Sequence, residues 1–340
     1  MIDLRFTERE HLPALSELFE EGFGHPLTPE EWNWKYNQVP GRGRSAVAVD
    51  ELGRVTAHAG LLGLPARDGR DEGLLWQLVD WVGSTRHAGL RPPLVALGRW
   101  FLGHLPPGSD WPEGDLPWNF GFPSPRHLSL GEKLLGYGRL HCFHELRGEL
   151  TRAAAPGAEP PAGLRLESSD RWTGTAEGVE RLWDACCPFG VRRTAAFLEW
   201  RYWARPGRYY RFYRIQNETG IEGLAVFAFV GKEARAAELW LPPGEGLERA
   251  LPAVARDLLE SGLETWTFWP PATKVAGLGV AANEIAGTEV ISDGYDPLSG
   301  LGLERGEEVA PGFRPRPVGT DRPPRRVRDF YFAMGDYDLT

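Results

Sequence analysis

The chain has 340 residues, enough for two domains of ordinary size. Hydrophobic residues make up 42% and charged residues 25%, a balance that builds a sizeable core and excludes an intrinsically disordered chain. The net charge of −9 argues against a nucleic-acid partner; the basic stretch 314–328 reads as a Pro-stiffened, solvated loop.

The N-terminal residues are polar and acidic, unlike a signal peptide, and no run of about 18 apolar residues occurs, so no membrane partner is expected. Cys142, Cys186 and Cys187 cannot make a paired framework, which fits a reduced compartment and predicts a cytoplasmic location.

Residues 23–41 (FGHPLTPEEWNWKYNQVPG) and 189–207 (FGVRRTAAFLEWRYWARPG) match without a gap at an offset of 166. Eight of nineteen positions are alike, among them Thr28/Thr194, Trp34/Trp200, Lys35/Arg201 and Tyr36/Tyr202. In each copy the Thr stands where a helix N-cap belongs, and Thr28-Pro29-Glu30-Glu31 has the form of a capping box with Pro at the first helical position. Pro-Gly then stops the helix. The W-x-Y residues read either as core anchors of the helix ends or as walls of a cleft. A hairpin follows in each copy, with strands at 45–50 and 54–62 in the first and at 209–215 and 221–230 in the second.

In the first copy, residues 73–82 (GLLWQLVDWV) form an apolar run of strand length, 83–91 (GSTRHAGLR) a short polar loop, and 92–105 a segment of helical periodicity opened by two Pro. A strand, a Gly-containing loop and a helix N-terminus make an anion site, since free N–H groups and the helix dipole both favour negative charge. The loop lacks the Gly-Lys-Ser/Thr of a P-loop. Residues 118–123 (WNFGFP) then read as a short buried strand and 124–135 as a helix closed by Gly136-Tyr137.

These segments resemble the GCN5-related N-acetyltransferases (GNAT). Arg86-His87-Ala88-Gly89-Leu90 fits the family's pyrophosphate loop, (Q/R)-x-x-G-x-(G/A), with Arg91 in place of the last small residue. The resemblance implies two tandem copies of a mixed α/β (α+β) fold, mostly antiparallel twisted sheets with helices on both faces. It places the copies at 1–150 and 164–340, joined by the Ala/Pro/Gly-rich linker 151–163. It further implies acetyl-CoA as co-substrate, held by Trp81, Val82, Gly83, the loop Arg86–Arg91 and Ser124, with a small-molecule or peptide amine as acceptor. The Tyr that the family often carries before the closing Gly-aromatic pair is Glu132 here, so Asp80, Glu132 and Tyr137 stand as the catalytic candidates. Asp80 interrupts an apolar strand, and a buried carboxylate needs a reason. Each of the three also has a plainer reading: Asp80 as an ion-pair partner, Glu132 as helix surface, Tyr137 as a helix-end core residue.

No metal is expected: strand alternation would split His141 and Phe143 from Cys142 and His144, and no second cluster would complete a ligand set. In the second copy, residues 236–241 are the matching strand, 242–246 (PPGEG) the loop, 247–261 the helix and 263–269 the next strand, with 329–336 closing the sheet. Glu245 opposes a pyrophosphate, so this copy is read as having lost CoA binding. The function expected is acyl-CoA-dependent N-acyltransfer. The alternatives are a catalytically inactive CoA-binding or interaction module and an aminoacyl-tRNA-dependent transferase.

Overall fold

The computed structural model describes residues 2–68, 71–86, 93–104, 114–139, 143–154, 160–186, 189–220, 222–242, 245–269, 301–309 and 312–315. The first half runs β1 (Asp3–Phe6), α1 (Leu12–Phe23), α2 (Pro29–Asn37), β2 (Arg42–Val49), β3 (Val55–Asp68), β4 (Asp71–Gly83), α3 (Pro93–Gly103), β5 (Asp115–Gly121), α4 (Pro125–Leu134) and β6 (Gly138–Arg139). There follow β7 (Phe143–Glu149), α5 (Leu150–Ala153), β8 (Leu164–Ser169), α6 (Ala176–Cys186), β9 (Phe189–Val191), α7 (Ala195–Leu198), β10 (Tyr210–Asn217), β11 (Glu222–Val230), β12 (Glu233–Trp240), α8 (Leu251–Glu260), β13 (Thr265–Phe268), β14 (Glu304–Val309) and β15 (Gly312–Pro315).

The predicted caps form as the chemistry requires. Thr28 Oγ1 accepts from Glu31 N–H at 3.1 Å while the Glu31 carboxylate accepts from Thr28 N–H at 3.0 Å, closing the capping box of α2. Thr194 accepts from Phe197 N–H at 3.1 Å, and α7 then widens into a π-helical turn, Glu199–Trp203, that keeps Trp200, Arg201 and Tyr202 buried.

The strands form two sheets of matching order, β1-β2-β3-β4-β5-β15-β6 and β8-β10-β11-β12-β13-β7-β14. In each, the neighbours of the first four strands are antiparallel, and the fourth pairs parallel with the fifth, β4 with β5 and β12 with β13. Helices cover both faces of the first sheet: α1 packs on Val47, Val49, Val55 and Val82, and α3 on Ala57, Ala59, Leu61 and Trp76. The fold is thus the expected pair of mixed sheets.

The predicted boundary at residue 150 does not divide the two sheets. β7, which precedes that boundary, lies between β13 and β14 of the second sheet. β15, from the end of the described chain, lies between β5 and β6 of the first. Each half therefore lends one strand to the other at the same position. The predicted linker opens with α5, which packs on α8, and residues 155–159 lie outside the described residues. The expected closing strand at 329–336 also lies outside them.

β3 runs six residues beyond its predicted end, because Leu64 and Ala66 continue into a core shared by both halves and its tip pairs with β9 through Ala66↔Val191 and Asp68↔Phe189. At the centre of that core the repeat-related indoles stack, with ring centroids 5.2 Å apart and planes 17° from parallel. Trp34 Nε1 donates to Trp200 O at 2.7 Å and Trp200 Nε1 donates to Trp34 O at 2.9 Å. The W-x-Y tryptophans are thus core anchors, and each is satisfied by the other copy. Among the described residues no helix is long and apolar enough to cross a membrane.

Candidate functional site

The site is built where two strands part. Parallel pairing of β4 with β5 ends at Leu78↔Gly121. Beyond it β4 continues along β3 to Gly83, whereas the other chain turns away through Phe122 and Pro123 into α4. A cavity of about 370 Å³ occupies the opening. Gln77–Trp81 line it from β4, Gly121–Ser124 from the parting chain, and His127, Leu130 and Gly131 from α4. Gly22 and Phe23 of α1, Leu94 and Val95 of α3, Leu135 and Tyr137 complete the wall.

Asp80 faces this opening from a kink. Gly60 pairs with Val79 and His58 with Val82, so Asp80 and Trp81 together oppose Ala59, a β-bulge. Asp80 is the non-Gly residue of positive φ among those described, at 54°. Its side chain is 1% exposed and accepts from Lys35 Nζ at 2.9 and 3.1 Å and from Tyr36 Oη at 2.6 Å. Its backbone carbonyl accepts from His58 Nδ1 at 2.9 Å, which leaves Nε2 as the bare nitrogen, buried without a hydrogen-bond partner. Burial, aided by the Lys35 charge, pushes the His58 imidazole down to about 4, so it stays neutral at pH 7. A carboxylate engaged in three hydrogen bonds is poorly placed to take a further proton. The geometry gives Asp80 the work of tying α2 to the bulge.

Gly60 makes room for this cluster: a Cβ there would sit 2.1 Å from Tyr36 Oη. Gly60→Ala should therefore displace the Tyr36 hydroxyl from Asp80 and destabilise the fold by about 1–3 kcal/mol, measured as a lower urea midpoint with an unchanged slope. An unchanged midpoint would mean that Tyr36 shifts freely.

At the far end of β4 the start of the loop is held by α1. The Glu21 carboxylate accepts from Thr85 Oγ1 and Thr85 N–H, both at 2.6 Å, from Ser84 Oγ at 3.1 Å and from Arg86 N–H at 3.3 Å. Hydrogen bonds from Thr85 foremost, with Ser84 and the backbone, hold its pKa at about 2. The Arg86 guanidinium is 74% exposed beside it, with Nε 3.7 Å from Glu21. His87, Ala88, Gly89, Leu90 and Arg91 lie outside the described residues.

Of the other predicted residues, Trp81, Ser124 and Tyr137 line the cavity. Trp81 Nε1 donates to Gly60 O at 3.0 Å, and Ser124 caps α4. Val82 turns instead to α1, where it packs against Gly22, and neither it nor Gly83 lines the cavity. Glu132 is half-buried on α4 and is not part of the wall. Sequence reasoning named Lys35 and Tyr36 only within the repeat, with the W-x-Y residues as core anchors or cleft walls, and missed His58, Gln77, Phe122 and His127. His127 stands at the third position of α4, half-buried in the cavity wall, and burial together with the Arg126 charge lowers its pKa below the ordinary histidine value.

The second copy repeats the design with other residues. Tyr202 Oη donates to Glu238 at 2.5 Å, as Tyr36 does to Asp80, and a bulge again interrupts β11–β12 at that level. Here Arg193 Nε donates to Glu238 at 2.8 Å and Trp240 Nε1 at 3.0 Å. Burial and the adjacent Glu238 charge push the Tyr202 hydroxyl far above its ordinary value. Glu245 accepts from Asn217 Nδ2 at 3.3 Å.

No family model and no curated protein matches the chain. Solved structures do. The chain is similar to a GCN5-related N-acetyltransferase from Anabaena variabilis, with 12% identity and a TM-score of 0.64 over 94% of this chain and 74% of that one. It is also similar to a tandem GNAT protein from the clavulanic acid biosynthesis pathway, with 12% identity and a TM-score of 0.58 over 95% and 100% of the two chains. A GCN5-related N-acetyltransferase from Kribbella flavida aligns with 14% identity and a TM-score of 0.56 over 92% and 71%. With the paired sheets, the parted strands and the internal repeat, these likenesses establish that the chain has the GNAT fold, in two tandem copies.

Proposed function

We propose that the chain is an acyl-CoA-dependent N-acyltransferase whose first half holds the thioester and whose acceptor is an amine. The parted strands carry this reading: a cavity opens between β4 and β5, and β4 is the strand that in sequence precedes the segment resembling a pyrophosphate loop. Bound acyl-CoA supplies an activated acyl group; the rest is work for the chain. The residues present fit such a ligand, since Leu78, Val79 and Trp81 give an apolar cavity wall and Leu94, from the first turn of α3, lines the same cavity. An amine near pKa 10 must lose a proton before it attacks. His127, kept neutral by its surroundings and placed in the wall, is suited to accept it, and the Tyr137 phenol is suited to return one to the leaving thiolate. Cys186 is no rival nucleophile, because burial pushes its thiol up to about 12.

Titration with acetyl-CoA by calorimetry tests the reading, with one site per chain expected. Gly89 holds the Gly position of the pyrophosphate pattern that the sequence resembles, so Gly89→Val should weaken binding by roughly tenfold to several thousandfold, the loss of one or two charge-assisted hydrogen bonds. Gly246 has φ 66°, so Asn rather than Val is the matched change in the second loop, and it should leave affinity unchanged. Absence of binding, or a stoichiometry of two, would overturn the assignment. A catalytically silent CoA-binding module is the second reading, favoured by the commitment of Asp80 to Lys35 and Tyr36. Thiol release from acetyl-CoA in the presence of amines separates the two.

A further inference from the structure

The second copy touches a wall residue of the first copy's cavity through an aromatic contact. Phe122 follows β5 directly and lines the cavity; Trp269 follows β13 directly, the equivalent place in the repeat. Their rings meet with centroids 5.0 Å apart and planes at 47°. Trp269 is 6% exposed, and its Nε1 donates to Glu145 of the exchanged strand β7 at 3.3 Å. The Glu145 carboxylate is gripped in turn by Arg147 at 2.8 and 3.2 Å. Phe122 also meets the fully buried Phe120 edge-on, at 6.0 Å and 90°. Phe122 thus contacts an aromatic ring of each sheet.

Its position decides what that rigidity does. On the acyl-CoA reading the ligand lies along β4 between the parted strands, and its acyl end points to where the strands still pair, the last pair being Leu78↔Gly121. Phe122 is one residue past that pair. We infer that Trp269, by bracing Phe122, fixes the closed end of the acyl site, so that the second copy sets which acyl groups the first accepts and restricts it to short ones. This rests on the acyl-CoA reading above.

The test compares binding of acetyl-CoA and hexanoyl-CoA to the full chain by calorimetry. The parent should prefer acetyl-CoA. Trp269→Ala should raise affinity for hexanoyl-CoA relative to acetyl-CoA by about tenfold or more, because the space released buries several additional methylenes. Trp269→Phe should keep the parent's ratio. Should Trp269→Ala fail to fold, Trp269→Leu tests the same release with less volume lost. A merely structural role for Trp269 would lower both affinities together and leave the ratio alone, which would overturn the inference. A parent chain that binds both ligands equally would overturn it too. A parent that binds acetyl-CoA while the variants leave its selectivity unchanged refutes this inference alone; a parent that binds neither ligand refutes the acyl-CoA reading and this inference with it.

Discussion

Residues 1–150 expressed alone should give no soluble folded domain, and residues 164–340 should fare no better. The first fragment lacks β15, which fills the place between β5 and β6, and the second lacks β7, which fills the place between β13 and β14. Each fragment would leave the two strands flanking the gap unpaired there and would carry its own lent strand without a sheet to join, the usual template for aggregation. Each would also expose its share of the common core, including an indole whose N–H now finds its acceptor in the other copy. Co-expression of the two pieces, divided within 155–159, should restore a soluble complex of both. Size-exclusion chromatography and near-UV circular dichroism read the result. A monomeric 1–150 that unfolds cooperatively would show that the exchanged strand is dispensable.

Asp80→Ala should destabilise the chain by about 3–5 kcal/mol, because it strands the Lys35 ammonium, only 6% exposed, away from water. Lys35→Met should cost a comparable amount by stranding the carboxylate. The double variant Lys35→Met with Asp80→Leu should cost clearly less than the two added together, since neither charge is then left unpaired. Equilibrium unfolding in guanidinium measures all three. Strict additivity in this cycle would mean that the ion pair contributes nothing as a pair.

One charge of that pair stood out in the sequence, Asp80 inside an apolar strand, whereas Lys35 entered only as the repeat counterpart of Arg201. A Lys is almost never fully buried unless it is paired, and the same holds for an Asp. Matching them across 45 residues needed the register of α2 over β4, which no local pattern carries. The repeat, the helix caps and the strand that precedes the loop were legible because they depend on neighbours in the chain: the Thr at each cap, the apolar periodicity, the Pro-Gly stops. The strand exchange was not legible. Strand alternation was considered only at 141–144, and nothing there says that 143–149 joins the second sheet, a choice settled by pairing at long range. His127 escaped for a related reason. Its place at the third position of α4 matters only once β4 and β5 are known to part beside it.

The reciprocal bonds between Trp34 and Trp200 have the form of an isologous contact, in which one residue meets its counterpart and the counterpart answers in kind. In a homodimer that symmetry is compulsory, and every substitution is made on both sides of the axis at once. Within one chain it is optional. The axis survives at the indoles, the tyrosines and the strand order, while one loop has Arg86 and the other Glu245. Joining the copies lets ligand-facing positions diverge one at a time while the positions that meet on the axis stay coupled. Substitutions at Trp34 or Trp200 should therefore be tolerated in compensating pairs, whereas those in the two loops should be tolerated singly.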